Sequence, residues 1–162
     1  MDLLIIRHGQ AEPRSADGTD ASRRLTEEGR KKVQRGAKGL HKLLPELNAL
    51  VSSPLVRAVQ TAAILAEAYG GLSIEETDLL EPDREPKELA DWLTGRSEET
   101  LAIVGHEPLL SHAATWFLSG LRSSLIEFKP GAACLLHFPD EIGVGRARLV
   151  FALTPWQLRR MR

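Results

Sequence analysis

Apolar residues in this chain alternate between short continuous runs and stretches in which they recur every three or four positions. The runs at residues 3–6, 50–51 and 101–104 predict buried strands, and those at 132–138 and 146–153 predict two later strands. The spaced positions within residues 33–44, 55–66 and 110–117 predict helices with one buried face. This alternation favours one α/β domain over residues 1–162, with three α/β/α layers and a mostly parallel central sheet.

Local signals also predict where the connections lie. Ser53 is a good N-cap and Pro54 a good first residue for the second helix, whose buried stripe would run from Leu55 to Ala66 and include Ala63. Residues 73–76 predict an edge strand, and the polar segment 78–86 predicts a loop before a short helix.

The first strand ends in Arg7, His8 and Gly9. In open α/β sheets ligands bind where strands end, so His8 can act as a nucleophile there while the Arg7 guanidinium holds an oxyanion. Gly9 permits a sharp turn and a close approach of the backbone to a bound anion.

Two further residues are predicted to reach the same edge of the sheet. Arg57 lies near the start of the second helix, and His106 follows the strand at 101–104. We expect them to meet Arg7 and His8 on an exposed rim, where two helix N-termini also favour an anion. Phosphate is the natural ligand, because its oxygens would be held by the two arginines and His106 while His8 attacks in line.

Composition excludes several other classes of protein. The chain has 162 residues, of which 43% are hydrophobic, enough for a sizeable core. Its net charge of -1 argues against general nucleic-acid binding, and no apolar run approaches the roughly 20 residues that cross a bilayer. The single cysteine, Cys134, lies in an apolar run typical of a core, so we expect a cytoplasmic protein.

Three segments of the chain resemble a known family. Residues 7–9, 52–62 and 104–106 are similar, in this order, to the signature segments of the histidine phosphatase (phosphoglycerate mutase-like) superfamily. Within it, residues 20–29 and the short length most resemble the SixA-type phosphohistidine phosphatases. The resemblance implies a phosphoglycerate mutase-like fold.

The resemblance also implies roles for individual residues. His8 would be phosphorylated transiently, with its other ring nitrogen bonded to a nearby carbonyl, and Arg7, Arg57 and His106 would bind the phosphoryl oxygens. Arg23 would lie near the pocket as a substrate contact, beside Gly9 and Glu107. No metal or other cofactor is implied, because arginine and imidazole supply the positive charge. A zinc motif starting at His106 is also disfavoured by the sequence itself, since Leu110 stands where the second histidine would be.

The general acid is left open between Glu81, Asp83 and Glu107. Glu81 lies in the loop where many relatives carry their acid, whereas Glu107 directly follows the second histidine, as the acid does in the acid-phosphatase branch. A phosphoramidate leaves through a weak P–N bond and needs less help from an acid than an alkyl phosphate does. The ambiguity therefore favours phosphohistidine as the substrate.

We thus predict a monomeric, metal-independent phosphatase that acts on a phosphohistidine domain of another protein. The alternative substrate is a small phosphorylated metabolite, hydrolysed by a phosphomonoester phosphatase. A non-catalytic phospho-ligand-binding module is disfavoured because the nucleophile, His8, is present, and a mutase is disfavoured by the short chain.

The remaining histidines and the basic tail are assigned structural or surface roles. His41, His112 and His137 lack the company of other reactive groups in the sequence. Residues 159–162 carry three arginines, which predicts a solvated tail, with docking to an acidic partner as the alternative.

Overall fold

The computed structural model describes residues 1–161, which form a six-stranded sheet with helices on both faces. The strands are β1 (Asp2–Arg7), β2 (Ala49–Ser52), β3 (Ile74–Glu76), β4 (Thr100–Gly105), β5 (Ala133–His137) and β6 (Arg148–Leu153). The helices are α1 (Glu27–Leu43), α2 (Val56–Ala68), α3 (Pro86–Leu93), α4 (Leu109–Ser119) and α5 (Pro155–Leu158), and a 3₁₀ turn covers Asp78–Leu80. No helix within residues 1–161 is long and apolar enough to cross a membrane.

The sheet has the strand order β3-β2-β4-β1-β5-β6. Neighbours from β3 to β1 pair in parallel, while β5 and β6 join as antiparallel strands, which confirms the predicted mostly parallel sheet. Because β1 and β4 lie side by side with Arg7 opposite Gly105, the residues that follow them, His8 and His106, are neighbours.

Apolar side chains on the two faces of the sheet form two cores, which confirms the three-layer prediction. Phe117 and Leu110 of α4 and Leu89 of α3 pack on one face. On the other face, α1, α2 and α5 contribute Val33, Leu65 and Leu158. Both faces of β1 and β4 are covered, as expected for continuous apolar runs in parallel strands.

Two close approaches fix α1 against its neighbours. A Cβ on Gly29 would lie 2.1 Å from the Gln10 carbonyl oxygen, so the first turn of α1 abuts the loop that follows His8. A Cβ on Gly39 would lie 2.0 Å from the Leu158 carbonyl oxygen, so α5 packs directly on the α1 backbone. Glycine is required at both positions because any side chain would collide with backbone atoms.

The start of the basic tail directly follows α5 and contacts it. Leu158 is buried, and the Arg160 guanidinium lies 4.2 Å from the centre of the Trp156 ring. Arg162 lies outside the described residues. Docking of this tail to an acidic partner stays a prediction.

The predicted start of the second helix is wrong by two residues. Helix α2 begins at Val56, after Leu55 as N-cap, because the Ser53 amide still donates to the Val104 carbonyl at 2.9 Å and so continues the path of β2 along β4. The predicted stripe is also partly wrong, since Ala63 is exposed while Thr61 and Ile64 are buried.

Candidate active site

The neighbouring ends of β1 and β4 bring two imidazole rings together. The centres of the His8 and His106 rings are 4.9 Å apart, and the His8 amide donates to the Gly105 carbonyl at 3.1 Å. The sequence predicted both residues at this edge of the sheet, and parallel pairing of their strands explains why they meet.

His8 is held as a neutral ring with one defined free nitrogen. Its Nδ1 lies 2.7 Å from the Gly9 carbonyl, which only accepts, so Nδ1 carries the proton. Burial lowers the pKa of His8 to about 4, with the charge of Arg57 acting in the same direction. Nε2 therefore presents a lone pair, which accepts a hydrogen bond from Arg57 Nε at 3.3 Å.

All parts of the Arg57 guanidinium have partners. Besides Nε, its Nη1 donates to the Asp20 carbonyl at 2.8 Å and its Nη2 to the Asp20 carboxylate at 2.9 Å. Thr61, one turn further along α2, accepts from the Gly9 amide at 3.0 Å and donates to the Arg57 carbonyl at 2.7 Å. This hydroxyl ties the backbone beside His8 to the helix that carries Arg57.

Asp20 is a site residue that the sequence reasoning missed. Its carboxylate accepts from Arg23 Nη1 at 2.7 Å as well as from Arg57. The bond from Arg23, and then that from Arg57, lower the pKa of Asp20 below its ordinary value. The predicted substrate contact Arg23 therefore does lie near the pocket, and its charge is among those that lower the pKa of His8.

His106 is also neutral, and it is fixed by Ser53. Its Nε2 lies 2.8 Å from the Ser53 hydroxyl, so the side chain predicted to cap α2 instead positions the second histidine. Burial, and then the repulsion that protonated His106 would meet from a protonated His8 and from Arg57, lower the pKa of His106 to about 3.

Two buried nitrogens of the site have no hydrogen-bond partner within residues 1–161, namely His106 Nδ1 and Arg7 Nε. Arg7 donates through Nη1 to the Phe128 carbonyl at 2.5 Å. An unsatisfied buried polar group costs about 1–3 kcal/mol, and the oxygens of a bound anion would supply the missing acceptor for Arg7.

The structure gives Gly9 and Glu107 internal partners. Gly9 uses its carbonyl for His8 and its amide for Thr61, and a Cβ at this position would lie 2.4 Å from Val33. Its need for glycine thus arises from packing on α1, and contact with a substrate stays a prediction. Glu107 accepts hydrogen bonds from the Phe128 amide and the Ser111 hydroxyl.

The other candidate acids lie in the loop after the 3₁₀ turn. Glu81 is half-buried and directly follows Leu80, whose carbonyl oxygen is 3.1 Å from the position of a Cβ on Gly105. This places the Glu81 backbone beside the end of β4, and its role as acid stays a prediction. Asp83 is exposed.

The expectation of an exposed rim is wrong for the reactive side chains. The exposed fractions of His8, Arg57 and His106 are 8%, 5% and 2%. The loop at residues 20–23 folds over Arg57, and the segment before β5 covers Arg7, which a local sequence pattern cannot indicate.

The remaining histidines lie elsewhere, as predicted. His137 Nδ1 is 2.6 Å from the Asp2 carboxylate, and His41 packs edge-on against Tyr69. Cys134 is buried in the core, where burial raises its thiol pKa to about 12.

The lowered pKa values predict a loss of stability in mild acid. The unfolded chain takes up protons on His8 and His106 below about pH 6.5, whereas the folded protein does so only near the lower values of about 4 and 3. The free energy of unfolding is therefore fully retained above that range and should fall as the pH drops from about 6.5 towards 4. Each histidine contributes a slope of up to about 1.4 kcal/mol per pH unit.

Urea unfolding at several pH values measures this slope, and the variant His106→Gln should show a shallower one because it has one such group fewer. An exposed control, His41→Gln, should keep the wild-type slope. Equal slopes in wild type and His106→Gln would contradict the prediction.

Comparison with known proteins agrees with this geometry. Residues 3–83 match the family model of the histidine phosphatase superfamily (branch 1). An uncharacterized protein of Picosynechococcus is 33% identical over 151 residues, covering 86% of this chain and 92% of that protein.

Solved structures share the fold at lower identity. The protein histidine phosphatase SixA complexed with tungstate superposes with a TM-score of 0.86 at 23% identity, covering 98% of this chain and 99% of that one. A phosphoserine phosphatase mutant of Entamoeba histolytica in complex with phosphoserine gives a TM-score of 0.73 at 13% identity, covering 97% and 98%. The matched segment contains the end of β1 and the start of α2, so the chain belongs to branch 1 of the histidine phosphatase superfamily and is a hydrolase of phosphate esters.

Proposed function

We propose that this protein removes the phosphoryl group from a phosphohistidine side chain of another protein, by way of a phosphohistidine formed on His8. The observation that carries the proposal is the neutral His8 ring, whose Nδ1 proton is fixed on the Gly9 carbonyl and whose Nε2 lone pair faces the Arg57 guanidinium. A neutral imidazole with one oriented lone pair is the state needed for attack on phosphorus.

The chemistry proceeds in two displacements. His8 Nε2 forms a bond to phosphorus as the P–N bond of the substrate breaks, and the electron pair goes to the leaving imidazole, which takes up a proton from solvent. Arg57 and Arg7 hold the equatorial oxygens. Water then attacks the phosphorus on His8, so that inorganic phosphate leaves and neutral His8 returns.

The surroundings of the carboxylates support phosphohistidine as the substrate class. Asp20 is held in its ionised form by Arg23 and Arg57, and both oxygens of Glu107 accept hydrogen bonds from protein donors. Neither is suited to protonate a leaving oxygen. A substrate with a good leaving group makes the smallest demand on such a site.

The similarity in fold to the protein histidine phosphatase SixA also supports phosphohistidine as the substrate class. The similarity to the phosphoserine phosphatase keeps small phosphomonoesters as the competing substrate class. We further infer a cytoplasmic location, which the single buried thiol of Cys134 supports, and the monomeric state stays a prediction.

The test compares kcat/KM on a phosphohistidine domain with kcat/KM on a panel of sugar phosphates, for the wild type and for Glu81→Gln. We expect a strong preference for the phosphohistidine domain and only a small effect of Glu81→Gln on it, because the imidazole leaves readily. Glu46→Gln, which makes the same change at an exposed glutamate between α1 and β2, is the matched control.

Loss of a true general acid typically costs about 10²–10⁴ in rate. Robust turnover of a sugar phosphate that collapses in Glu81→Gln would overturn the proposal and identify a small-molecule phosphatase with Glu81 as its acid.

A further inference from the structure

Both oxygens of the Glu107 carboxylate are bonded to the protein, on two different segments. Oε2 accepts from the Ser111 hydroxyl at 2.6 Å and from the Ser111 amide at 3.3 Å, within the first turn of α4. Oε1 accepts from the Phe128 amide at 3.0 Å, in the segment that leads into β5. Glu107 therefore ties the segment before β5 to the helix that follows His106.

Phe128 carries this connection onward to Arg7. Its amide is held by Glu107, and its own carbonyl accepts the bond from Arg7 Nη1 at 2.5 Å. The ring of Phe128 is buried in the core, so the residue has little freedom to shift. The position of the Phe128 carbonyl, which accepts from Arg7, thus depends on the bond between the Phe128 amide and Glu107.

Arg7 has few other restraints on its guanidinium. Its Nε has no hydrogen-bond partner within residues 1–161. Among these residues, its side chain makes one hydrogen bond, which goes from Nη1 to the Phe128 carbonyl. Arg57, by contrast, is fixed through all three of its nitrogens. The two arginines of the pocket are therefore oriented by different contacts. Arg57 is held by three hydrogen bonds, whereas Arg7 is held by one bond to a backbone carbonyl.

The charge of Glu107 acts on Arg7 as well. Burial lowers the pKa of Arg7, and the negative charge of Glu107 is the largest influence that opposes the shift. A half-buried cation without this counter-charge would be less stable in this position.

We propose that Glu107 is a positioning residue that orients Arg7 for the phosphoryl group through the Phe128 backbone, and is neither the general acid nor a substrate contact. The inference rests on the proposed function, because that function assigns Arg7 to the phosphoryl oxygens. A purely structural Glu107 would affect folding stability without a specific dependence on Arg7.

The test is a double-mutant cycle on oxyanion affinity, with tungstate as the probe and calorimetry of the full chain as the measurement. We expect Glu107→Ala to weaken tungstate binding about tenfold, but by less than about twofold when Arg7 is already replaced by alanine, since coupled residues are not additive. Ser111→Ala is the matched control, because it removes a bond to the same carboxylate on the α4 side and leaves the bond to Phe128. We expect it to lower the thermal midpoint while changing tungstate affinity by less than about twofold.

Glu107→Gln keeps an oxygen for the Phe128 amide and removes the charge, so it separates the hydrogen bond from the charge. We expect it to bind tungstate within about twofold of the wild type. If Glu107→Ala does not fold, Glu107→Leu, which fills the space but offers no acceptor to Phe128, takes its place in the cycle. Equal losses from the alanine or leucine variant in both backgrounds, no loss in either, or a loss in Glu107→Gln as large as theirs would overturn the positioning role.

The outcomes also separate this inference from the proposed function. If Arg7→Ala itself leaves tungstate affinity unchanged, the assignment of Arg7 to the anion fails, and the inference fails with it. If Arg7→Ala weakens binding and the Glu107 variants without an acceptor for Phe128 do not, only the positioning role fails. Tungstate affinity is independent of the identity of the natural substrate, so a failed substrate assignment leaves the cycle intact.

Discussion

His8→Ala is expected to lower kcat by about 10⁴-fold or more, because the variant has no nitrogen on which the phosphoryl group can be carried. The exposed fraction of His8 is 8%, and its ring makes hydrogen bonds with Gly9 and Arg57. A modest fall in the thermal midpoint should therefore accompany the loss of activity. Circular dichroism should still show a folded protein. Steady-state rates on a phosphohistidine domain measure the effect.

The covalent step can be observed directly. Wild-type protein mixed with substrate labelled in the phosphoryl group and quenched in alkaline denaturant, which preserves the P–N bond, should carry the label on His8. His41→Ala, which replaces an exposed histidine of α1, should turn over and become labelled like the wild type. Stoichiometric label on another residue, or substantial activity in His8→Ala, would rule out this mechanism.

Arg57→Ala should produce the second largest loss, about 10²–10³ in kcat/KM, which is the usual cost of removing one preorganised donor from a charge-stabilising site. Its guanidinium is the group in contact with His8 Nε2, where the phosphoryl group would arrive. Arg57→Lys should recover little, because an ammonium group cannot reproduce three bonds made in different directions by a planar cation.

The loss of kcat/KM in Arg57→Ala should not be additive, in free energy, with the loss caused by replacing His106. We expect the double variant Arg57→Ala with His106→Ala to be much less impaired than the product of the two single effects, since both hold one phosphoryl group. Replacement of Arg35, an exposed arginine on α1, should leave kcat/KM unchanged and serves as the control. Fully multiplicative losses would show that the two residues do not form one anion site.

The parts of this fold that follow from local pattern were predictable from the sequence. Continuous apolar runs identified β1 and β4 because strands buried on both faces have no polar alternation. Parallel pairing of these two strands then placed His8 beside His106. Strand ends and helix starts can be recognised from local sequence. His8, His106 and Arg57 all lie at such positions, so most of the pocket could be predicted.

Contacts between distant segments were not predictable in this way. Ser53 is a residue type typical of an N-cap, yet its hydroxyl is used by His106, because pairing with β4 continues to Ser53, two residues beyond the predicted strand. Asp20 reaches Arg57 only because the loop after β1 folds back over α2. In the sequence Glu107 is a candidate general acid because it follows a histidine. Its bonds to Ser111 and Phe128 were not predictable, because they depend on how the segment before β5 returns to the sheet.

The central place of β1 in the sheet has a consequence for how the protein acquires its structure. The strand that leads to His8 is synthesised before its two partners: it pairs with β4, where Asp2 lies opposite Thr100, and with β5, where Asp2 lies opposite His137. Contacts so far apart in sequence are slow to form. The nascent chain must therefore keep a strand with four consecutive apolar residues, Leu3 to Ile6, without its neighbours until β4 and β5 have been made, so this strand needs protection from aggregation during synthesis.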